Sequence, residues 1–222
     1  MKTDTATGRT YTIDGNEYVS VTTVLNCASK PFLYAWYGKV GNAEAKRISN
    51  ESKDIGSRSH TEFENIIRYG VKWQTNFLLE PELEFPVNNF KRFLSNLDSY
   101  KDVFGERVVY SDKYGYAGTL DRLAFIDGKL TLVDWKTSNS MNDEYIIQTM
   151  AYYVALTEMA ERGTINLPGK IERLAVVRLD KKNEYDHSKD FISVKPNKQA
   201  FKAFLGLLQY YKNKDFNKKE KK

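Results

Sequence analysis

Two short runs of apolar residues, separated by an Asp-Gly pair, form the clearest pattern in the chain. They lie within residues 118–137, which read GTLDRLAFIDGKLTLVDWKT. An Asp-Gly pair between two such runs is the strongest short-range signal of a β-hairpin with a two-residue turn. With Asp127 and Gly128 in the turn, counting back along both strands places Asp121 opposite Asp134.

The hairpin places charged side chains at the end of an apolar stripe. Because side chains on a strand point alternately to its two faces, Asp121, Asp134 and Lys136 are predicted to share a face. Leu123 and Leu132 lie on the same face. Two carboxylates placed directly opposite each other destabilise a strand pair, or one of them takes up a proton. The pattern therefore predicts a site where positive charge compensates two acidic groups.

The first part of the chain has one short hairpin pattern followed by helical patterns. Residues 9–21, RTYTIDGNEYVSV, indicate a hairpin with another Asp-Gly turn. Residues 20–70 have the periodicity of several helices. In the last of these helices, His60 lies on the apolar face, and Gly70 ends the helix.

A third acidic residue is predicted beside the first two. A loop carrying Pro81 and Pro86 is expected to precede a helix over residues 87–101. The next strand, ERVVYS, is followed by the turn DKYG. If that turn is a four-residue loop, Glu106 lies opposite Asp121 and adds a carboxylate to the cluster.

After this β section the periodicity changes to helical. Ser140 and Asp143 are predicted to form a capping box for a helix that ends at Gly163. The remaining elements are predicted to be an apolar strand over 171–181, a second strand over 190–196 and an amphipathic helix over 197–214.

This order of elements predicts an α/β fold with a mixed central β-sheet flanked by helices. No repeat or linker separates its parts, so residues 1–222 are expected to form a single domain. Within it we expect a mainly helical N-terminal part (1–105), a core (106–211) and a lysine-rich tail (212–222).

Composition narrows the class of protein. Apolar residues make up 41% of the chain and charged residues 28%, which is ordinary for a globular protein. No apolar run reaches the ~18 residues of a membrane span, so no membrane association is expected. The net charge of +5 permits nucleic-acid binding without requiring it. Since Cys27 is the only cysteine, neither an intrachain disulfide nor a cysteine-held iron–sulfur cluster is expected, and a reducing cytoplasm fits best.

A divalent cation would compensate the two opposed aspartates. Mg²⁺ prefers oxygen ligands at about 2.0–2.1 Å and is usually held by one or two carboxylates together with waters and substrate phosphate. Lys136 would orient or activate a water there, or neutralise charge on the transition state. These features are typical of phosphodiester hydrolysis. The alternative is a surface ion-pair cluster that contributes little.

Four short motifs follow one another in the order GxxxH, GxxD, DxK and QxxxY. They are carried by Gly56 and His60, Gly118 and Asp121, Asp134 and Lys136, and Gln148 and Tyr152. In this order they resemble the signature of the PD-(D/E)XK nucleases, in the RecB-like branch. The stretches SVTTVL, from Ser20 to Leu25, and DWKTS are most similar to the group of mitochondrial genome-maintenance exonucleases and their phage-encoded relatives.

The resemblance implies a role for each motif residue. Lys136 would be the catalytic lysine. The metal ligands would be Asp121, Asp134, the backbone carbonyl of Trp135, His60 (for this ion or a second one) and, in a supporting role, Glu106. Without the motifs, His60 would be interpreted as an ordinary core histidine beside Phe63.

Candidate nucleic-acid contacts lie on three helical segments. The resemblance implies that Gln148 and Tyr152, four residues apart on one helix face, hold the phosphate backbone or brace the site. Arg58 is a further candidate. Tyr34 and Trp36 are candidates for stacking on bases, although aromatic residues in such a helix can equally be packing residues.

The resemblance implies a restriction-endonuclease-like fold with an N-terminal helical extension. The expected activity is a Mg²⁺- or Mn²⁺-dependent DNA exonuclease that prefers single strands or free ends, acting with replication, recombination or repair proteins. The alternatives are an endonuclease or a non-cleaving DNA-binding module. The expected compartment is the cytoplasm of a bacterium or phage-infected cell, with the mitochondrion as an alternative.

Overall fold

The computed structural model describes residues 1–5, 8–70 and 79–214. The helices are α1 (Val21–Leu25), α2 (Pro31–Val40), α3 (Asn42–Tyr69), α4 (Pro81–Ser95), α5 (Asp143–Glu161), α6 (His187–Asp190) and α7 (Lys198–Asn213). The strands are β1 (Lys2–Thr5), β2 (Gly8–Ile13), β3 (Asn16–Ser20), β4 (Tyr100–Ser111), β5 (Tyr116–Ile126), β6 (Lys129–Lys136), β7 (Arg173–Arg178) and β8 (Phe191–Val194).

These strands form one mixed sheet flanked by helices, which confirms the predicted fold class. The strand order is β1-β2-β3-β5-β6-β7-β8, and β4 pairs with β5. The pairs β3–β5 and β6–β7 are parallel, whereas the other pairs are antiparallel. One apolar core lies between the sheet and helices α1, α5 and α7, and a second lies between the sheet and helices α3 and α4.

Strand β5 has an interruption along one of its edges. Strand β4 covers the other edge from end to end. On the interrupted edge, β3 pairs only with Tyr116 and Ala117, and β6 pairs only from Arg122 to Ile126. Residues 118–121 lie between these two partners without a ladder pair on that side. Strands β5 and β6 therefore separate here, and we call the space between them the wedge.

The predicted turns are confirmed. The central hairpin has the expected register, with Ile126 paired to Lys129, and its turn residues Asp127 and Gly128 have φ values of 49° and 74°. Positive φ at both turn positions is typical of a type I′ turn, for which Asp-Gly is preferred. The N-terminal hairpin has Asp14 and Gly15 in its turn as predicted, and the DKYG loop has the predicted register, with Ser111 paired to Tyr116.

Several predicted boundaries are wrong. Helix α4 begins at Pro81 and not at residue 87. Pro81 lies in the first turn, where a missing N–H costs nothing, and Pro86 is accommodated inside the helix. Strand β4 begins at Tyr100, six residues earlier than predicted. The cap of α5 is Asn142, whose side chain accepts from the backbone N–H of Glu144, rather than Ser140.

Some predictions lie outside the described residues. The loop expected before α4 includes residues 71–78, and the lysine-rich tail includes residues 215–222, and neither range is described. In the part of the chain that is described, no helix is both long enough and apolar enough to cross a membrane.

Candidate active site

The wedge contains the two aspartates of the central hairpin. The last ladder pair between β5 and β6 joins Arg122 and Val133, so the predicted direct pairing of Asp121 with Asp134 does not form. Instead, the backbone N–H of Trp135 donates a hydrogen bond of 2.8 Å to Oδ2 of Asp121. A carboxylate has thus replaced the backbone carbonyl that would continue the ladder, and it bridges the two separating strands.

The alternation of β5 is interrupted at Asp121. Leu120 and Leu123 both belong to the core beneath α5, although residues three apart on a regular strand face opposite sides. Arg122 points the other way, toward α3. Across the β4–β5 pair, Glu106 has a φ of 45°, a left-handed conformation that is uncommon for residues other than glycine. Strict alternation, which the sequence analysis assumed, therefore does not hold at this residue.

Asp134 is held on both of its oxygens. Its side chain is 2% exposed. Oδ1 accepts a hydrogen bond of 3.1 Å from Nε2 of Gln148, and Oδ2 forms an ion pair with the ammonium of Lys136. That ammonium also lies 5.1 Å from the ring centroid of Tyr145, so its position is fixed from two directions. The lysine and Asp134 share the same face, as predicted.

His60 reaches the wedge from α3. Its Nδ1 lies 3.7 Å from Oδ1 of Asp121. One turn earlier in the helix, a Cβ atom on Gly56 would lie 3.2 Å from Oγ1 of Thr137. A glycine at that position therefore lets α3 pack closely against the end of β6.

Burial and like charge make the carboxylates difficult to ionise. Burial raises the pKa of Asp121 to about 6, with smaller contributions from the charges of Glu106 and Glu64, although Lys136 and the Trp135 backbone N–H oppose the rise. Burial likewise raises the pKa of Asp134 to about 6, with an added contribution from the charge of Asp121. A single lysine therefore does not balance the negative charge of this site.

The pKa values of Lys136 and His60 are shifted in opposite directions. Burial lowers the pKa of Lys136, but the two aspartates outweigh burial, so the pKa is raised overall and the ammonium stays charged. Burial and the neighbouring Lys136 charge lower the pKa of His60, so its imidazole is neutral and its nitrogen lone pair is available at neutral pH.

The donor atoms at the wedge are of the type that binds a hard divalent cation. Carboxylate oxygens are preferred ligands of Mg²⁺ and Mn²⁺, and one or two carboxylates are sufficient where substrate phosphate completes the shell. In the described ranges, no group of three or more His, Cys, Asp or Glu side chains is close enough to hold an ion. The fit therefore depends on the two aspartates, with their excess negative charge.

Gln148 and Tyr152 form a chain of hydrogen bonds behind Asp134. Nε2 of Gln148 donates to Oδ1 of Asp134 and to the Tyr152 hydroxyl, the latter at 3.0 Å. Tyr152 is 4% exposed. Its ring is therefore closed to nucleic acid in this structure, and of the two predicted roles its position fits the bracing one.

The remaining nucleic-acid candidates differ in how far the protein itself engages their side chains. Arg58 forms ion pairs with three carboxylates, those of Asp54, Glu80 and Glu82. Tyr34 on α2 is 65% exposed. Trp36 is half-buried and packs edge-to-face on Tyr37, with ring centroids 5.3 Å apart. Of these candidates, Arg58 already has its charge paired with carboxylates of the protein, and Tyr34 is the most exposed.

The sequence analysis missed a buried cation next to the site. Arg122, whose side chain is 4% exposed, forms ion pairs with Glu64 on α3 and Asp102 on β4. A Cβ atom on Gly105 would lie 2.3 Å from Cζ of Arg122, so this glycine makes room for the guanidinium. The sequence signal that could have identified this cation is an arginine in an otherwise apolar strand, on the face opposite Leu123.

Comparison with protein families gives one match. A family model of the PD-(D/E)XK nuclease superfamily matches residues 19–220. The matched region runs from β3 to beyond α7 and includes every residue of the wedge. No curated protein matches the chain significantly.

Proposed function

Because the chain belongs to the PD-(D/E)XK nuclease superfamily, we propose that it is a metal-dependent DNA exonuclease of the RecB-like branch, related to the mitochondrial genome-maintenance exonucleases and their phage-encoded relatives. Nucleases of this superfamily act on DNA and generally use divalent metal ions such as Mg²⁺ or Mn²⁺. The preferred substrate in this proposal is a single strand or a free end, in DNA replication, recombination or repair.

The observation that carries the proposal is the wedge with two buried carboxylates. Asp121 and Asp134 lie where two strands separate, and a lysine and a histidine lie beside them. A structural ion-pair cluster would balance its charges, whereas here burial keeps the pKa of both aspartates near 6 in spite of Lys136. An added cation would remove this imbalance.

The proposed roles combine the contacts with the family resemblance. Asp121 and Asp134 bind the divalent ion, and the Trp135 carbonyl, His60 and Glu106 are the further ligands that the resemblance implies. When bound, the ion supplies Lewis-acid stabilisation of charge at the scissile phosphate.

Lys136 orients the attacking water and neutralises charge that develops on the phosphate. Its raised pKa keeps it protonated, and its contacts with Asp134 and Tyr145 hold the ammonium in place. Gln148 and Tyr152 act as positioning residues, because they fix the orientation of the Asp134 carboxylate.

Helix α2 supports a preference for unpaired DNA. It contains five large apolar side chains, yet none of its residues is buried. Phe32 and Tyr34 are each 65% exposed. Exposed aromatic rings can stack on the faces of unpaired bases without regard to sequence.

A digestion assay tests this proposal. The chain is incubated with end-labelled linear and with circular single-stranded DNA, in Mg²⁺, in Mn²⁺ and in a chelator. We expect metal-dependent shortening of the linear strand from its ends and an intact circle. Cleavage of the circle would instead indicate the endonuclease alternative.

The matched variants are Lys136→Ala and Lys129→Ala, at opposite ends of β6. We expect the first to abolish digestion and the second to leave it unchanged. Digestion by Lys136→Ala at the parent rate would contradict the proposed mechanism. Metal-independent binding of DNA without any digestion would indicate a non-cleaving DNA-binding module.

A further inference from the structure

A largely buried arginine lies next to Lys136 on the neighbouring strand. Strands β6 and β7 are parallel, and their last ladder pair joins Lys136 and Arg178. The Arg178 side chain is 17% exposed. The backbone N–H of Leu179 donates a hydrogen bond of 2.7 Å to the Lys136 carbonyl, so this end of β7 also holds the backbone of the lysine. The mechanism above uses neither Arg178 nor Leu179.

Two buried carboxylates hold the guanidinium of Arg178. Asp180 and Asp190 are each 1% exposed. Nε of Arg178 donates a hydrogen bond of 2.8 Å to Oδ1 of Asp190, and Nη1 donates one of 2.7 Å to Oδ2 of Asp180. Charge-assisted bonds to a planar guanidinium fix its direction as well as its position. Arg178 is therefore held in one orientation.

The Asp180 carboxylate is itself fixed by the loop that follows β7. Its Oδ1 accepts hydrogen bonds from the backbone N–H groups of Lys182 and Asn183, at 2.8 and 3.2 Å. The buried side chain of Asn89, on α4, donates to the backbone carbonyls of Asp180 and Asn183. Helix α4, this loop and the guanidinium of Arg178 thus belong to one hydrogen-bonded network.

The guanidinium makes a further hydrogen bond, which reaches the chain beyond β6. Nη1 of Arg178 donates to the backbone carbonyl of Asn139 at 3.0 Å. Asn139 lies three residues after Lys136, in the loop over residues 137–142 that joins β6 to α5. In the described ranges, no other side chain from outside this loop donates to one of its carbonyls. We call the bond from Arg178 to Asn139 the loop clamp.

The clamped loop connects Lys136 to the ring that packs on it. Lys136 lies immediately before the loop. Tyr145, whose ring centroid is 5.1 Å from the Lys136 ammonium, lies in the first turn of α5, immediately after the loop. The backbone N–H of Tyr145 donates to the carbonyl of Asn142, the last residue of the loop. A displacement of the loop therefore moves the lysine and the ring relative to each other.

We propose that Arg178 is a positioning residue for Lys136, an inference that rests on the proposed nuclease function. The hydrogen bonds of Arg178 go to Asp180, Asp190 and Asn139, and none goes to an aspartate of the wedge. The loop clamp keeps the ammonium where it orients water and neutralises charge on the phosphate. A catalytic group that is misplaced by about 1 Å can lower the rate about a hundredfold. Loss of the clamp therefore acts on kcat, whereas the groups that bind metal and DNA are unchanged.

The test compares Arg178→Lys with Arg173→Lys. Both arginines are on β7 and both donate to a backbone carbonyl, but the acceptor of Arg173 is Ile126, at the opposite end of the strand from Lys136. A lysine keeps the positive charge and lacks the planar fork of donors. The matched pair therefore separates support of the sheet from positioning of Lys136.

Four quantities are measured for each variant. They are kcat and KM of DNA digestion, the rise in Tm on addition of Mn²⁺, and the affinity for DNA by fluorescence anisotropy in Ca²⁺ in the Asp134→Asn background. We expect Arg178→Lys to lower kcat by about tenfold or more and to keep the other three quantities at the parent values. We expect Arg173→Lys to leave all four unchanged.

A charge-balanced variant keeps the inference testable if Arg178→Lys does not fold. Arg178→Gln/Asp190→Asn replaces an ion pair by two neutral side chains, and the shorter glutamine does not reach Asn139. Replacing both partners of a buried ion pair is often neutral for stability, whereas removing one partner is not. Thermal unfolding verifies that each variant is folded. We expect the same fall in kcat as for Arg178→Lys.

A double variant shows whether the arginine acts through the lysine. Tyr145→Leu removes the ring from the Lys136 ammonium. If the loop clamp and this ring position the same group, the losses of kcat in Arg178→Lys and Tyr145→Leu are less than multiplicative when the two are combined. Fully multiplicative losses would overturn the proposed route through Lys136.

The outcomes separate this inference from the proposed function. Digestion by the parent chain, with kcat of the folded Arg178 variants at the parent value, would overturn the inference and leave the nuclease function standing. Equal falls in kcat for Arg178→Lys and Arg173→Lys would also overturn it, because both would then report general support of the sheet. Absence of digestion by the parent chain would overturn the proposed function itself.

Discussion

A Cβ atom on Gly118 would lie 2.4 Å from Cε1 of Tyr152, so the tyrosine ring packs directly on the backbone of β5. The glycine of the GxxD motif and the tyrosine of the QxxxY motif are thus two sides of one contact. Through Gln148, this contact determines where the carboxylate of Asp134 lies. Two motifs that are separate in sequence therefore support one functional group.

Gly118→Ala should displace the ring of Tyr152. Introducing a methyl group into a packed contact typically costs about 1–3 kcal/mol, and here it also disturbs the Gln148 hydrogen bonds. We expect a lower free energy of unfolding in urea and a lower rate of DNA digestion. Gly206→Ala on α7 is the matched control, since a Cβ atom there has nothing within 4 Å.

A double variant identifies the contact as the cause. Tyr152→Leu makes room for the new methyl group, so the cost of Gly118→Ala should be smaller in that background. Additive costs of the two substitutions would contradict direct contact between these residues.

Local turn chemistry made part of this site predictable. Asp127 and Gly128 adopt the positive φ values that a type I′ turn requires, and this turn fixes the register of β5 and β6 by counting. The register in turn placed Lys136 beside Asp134. These relations depend on residues within about 20 positions of one another in the chain.

The wedge was not predictable in the same way. The wedge forms because β6 continues beyond Val133 as a partner of β7, while β3 pairs with the first residues of β5. Competition between distant strands for one edge has no signature in the hairpin itself. Arg122 was missed for a similar reason, since Glu64, one of its partners, lies 58 residues away in the chain.

Metal ions should stabilise the folded chain through the wedge. A ligand that binds only the native state stabilises it by about 2.7 kcal/mol at 100 times its Kd. We expect Mn²⁺ or Mg²⁺ to raise the Tm of the parent chain, because a cation relieves the repulsion between Asp121 and Asp134. Differential scanning calorimetry with and without a chelator measures this effect.

Asp134→Asn should abolish the rise in Tm, whereas Asp98→Asn, an exposed aspartate before β4, should keep it. Without metal, Asp134→Asn should be at least as stable as the parent, because it removes a buried carboxylate whose charged form burial disfavours. An equal metal-induced rise in both variants would contradict metal binding at the wedge.

Arg122→Ala should destabilise the fold and weaken metal binding. Removing one partner of a buried ion pair costs about 3–5 kcal/mol, and the partial exposure of Glu64 and Asp102 places the expected loss at the lower end. Glu64 lies one turn after His60 on α3, so the ion pair also holds His60 against Asp121. Chemical denaturation and Mn²⁺ titration measure the two effects.

Arg92→Ala is the control for Arg122→Ala. Arg92 forms an ion pair with Glu184 at the surface, and we expect almost no change in stability or metal affinity. If Arg122→Ala lowered stability but left Mn²⁺ affinity at the parent value, the ion pair would support the fold without positioning His60.

Tyr34→Ala should weaken the binding of single-stranded DNA more than that of duplex DNA. Stacking of one base on an aromatic ring contributes about 1–3 kcal/mol, so the Kd should rise at least about fivefold. Tyr210 on α7 is the matched control, because it is a tyrosine of similar exposure, 53% against 65%, on a different helix. Fluorescence anisotropy in Ca²⁺ with the Asp134→Asn background measures affinity without digestion.

Since duplex bases are already stacked on one another, a loss of equal size for both kinds of DNA would mean that Tyr34 contacts the backbone instead. Equal effects of Tyr34→Ala and Tyr210→Ala would exclude α2 as the surface that binds unpaired bases.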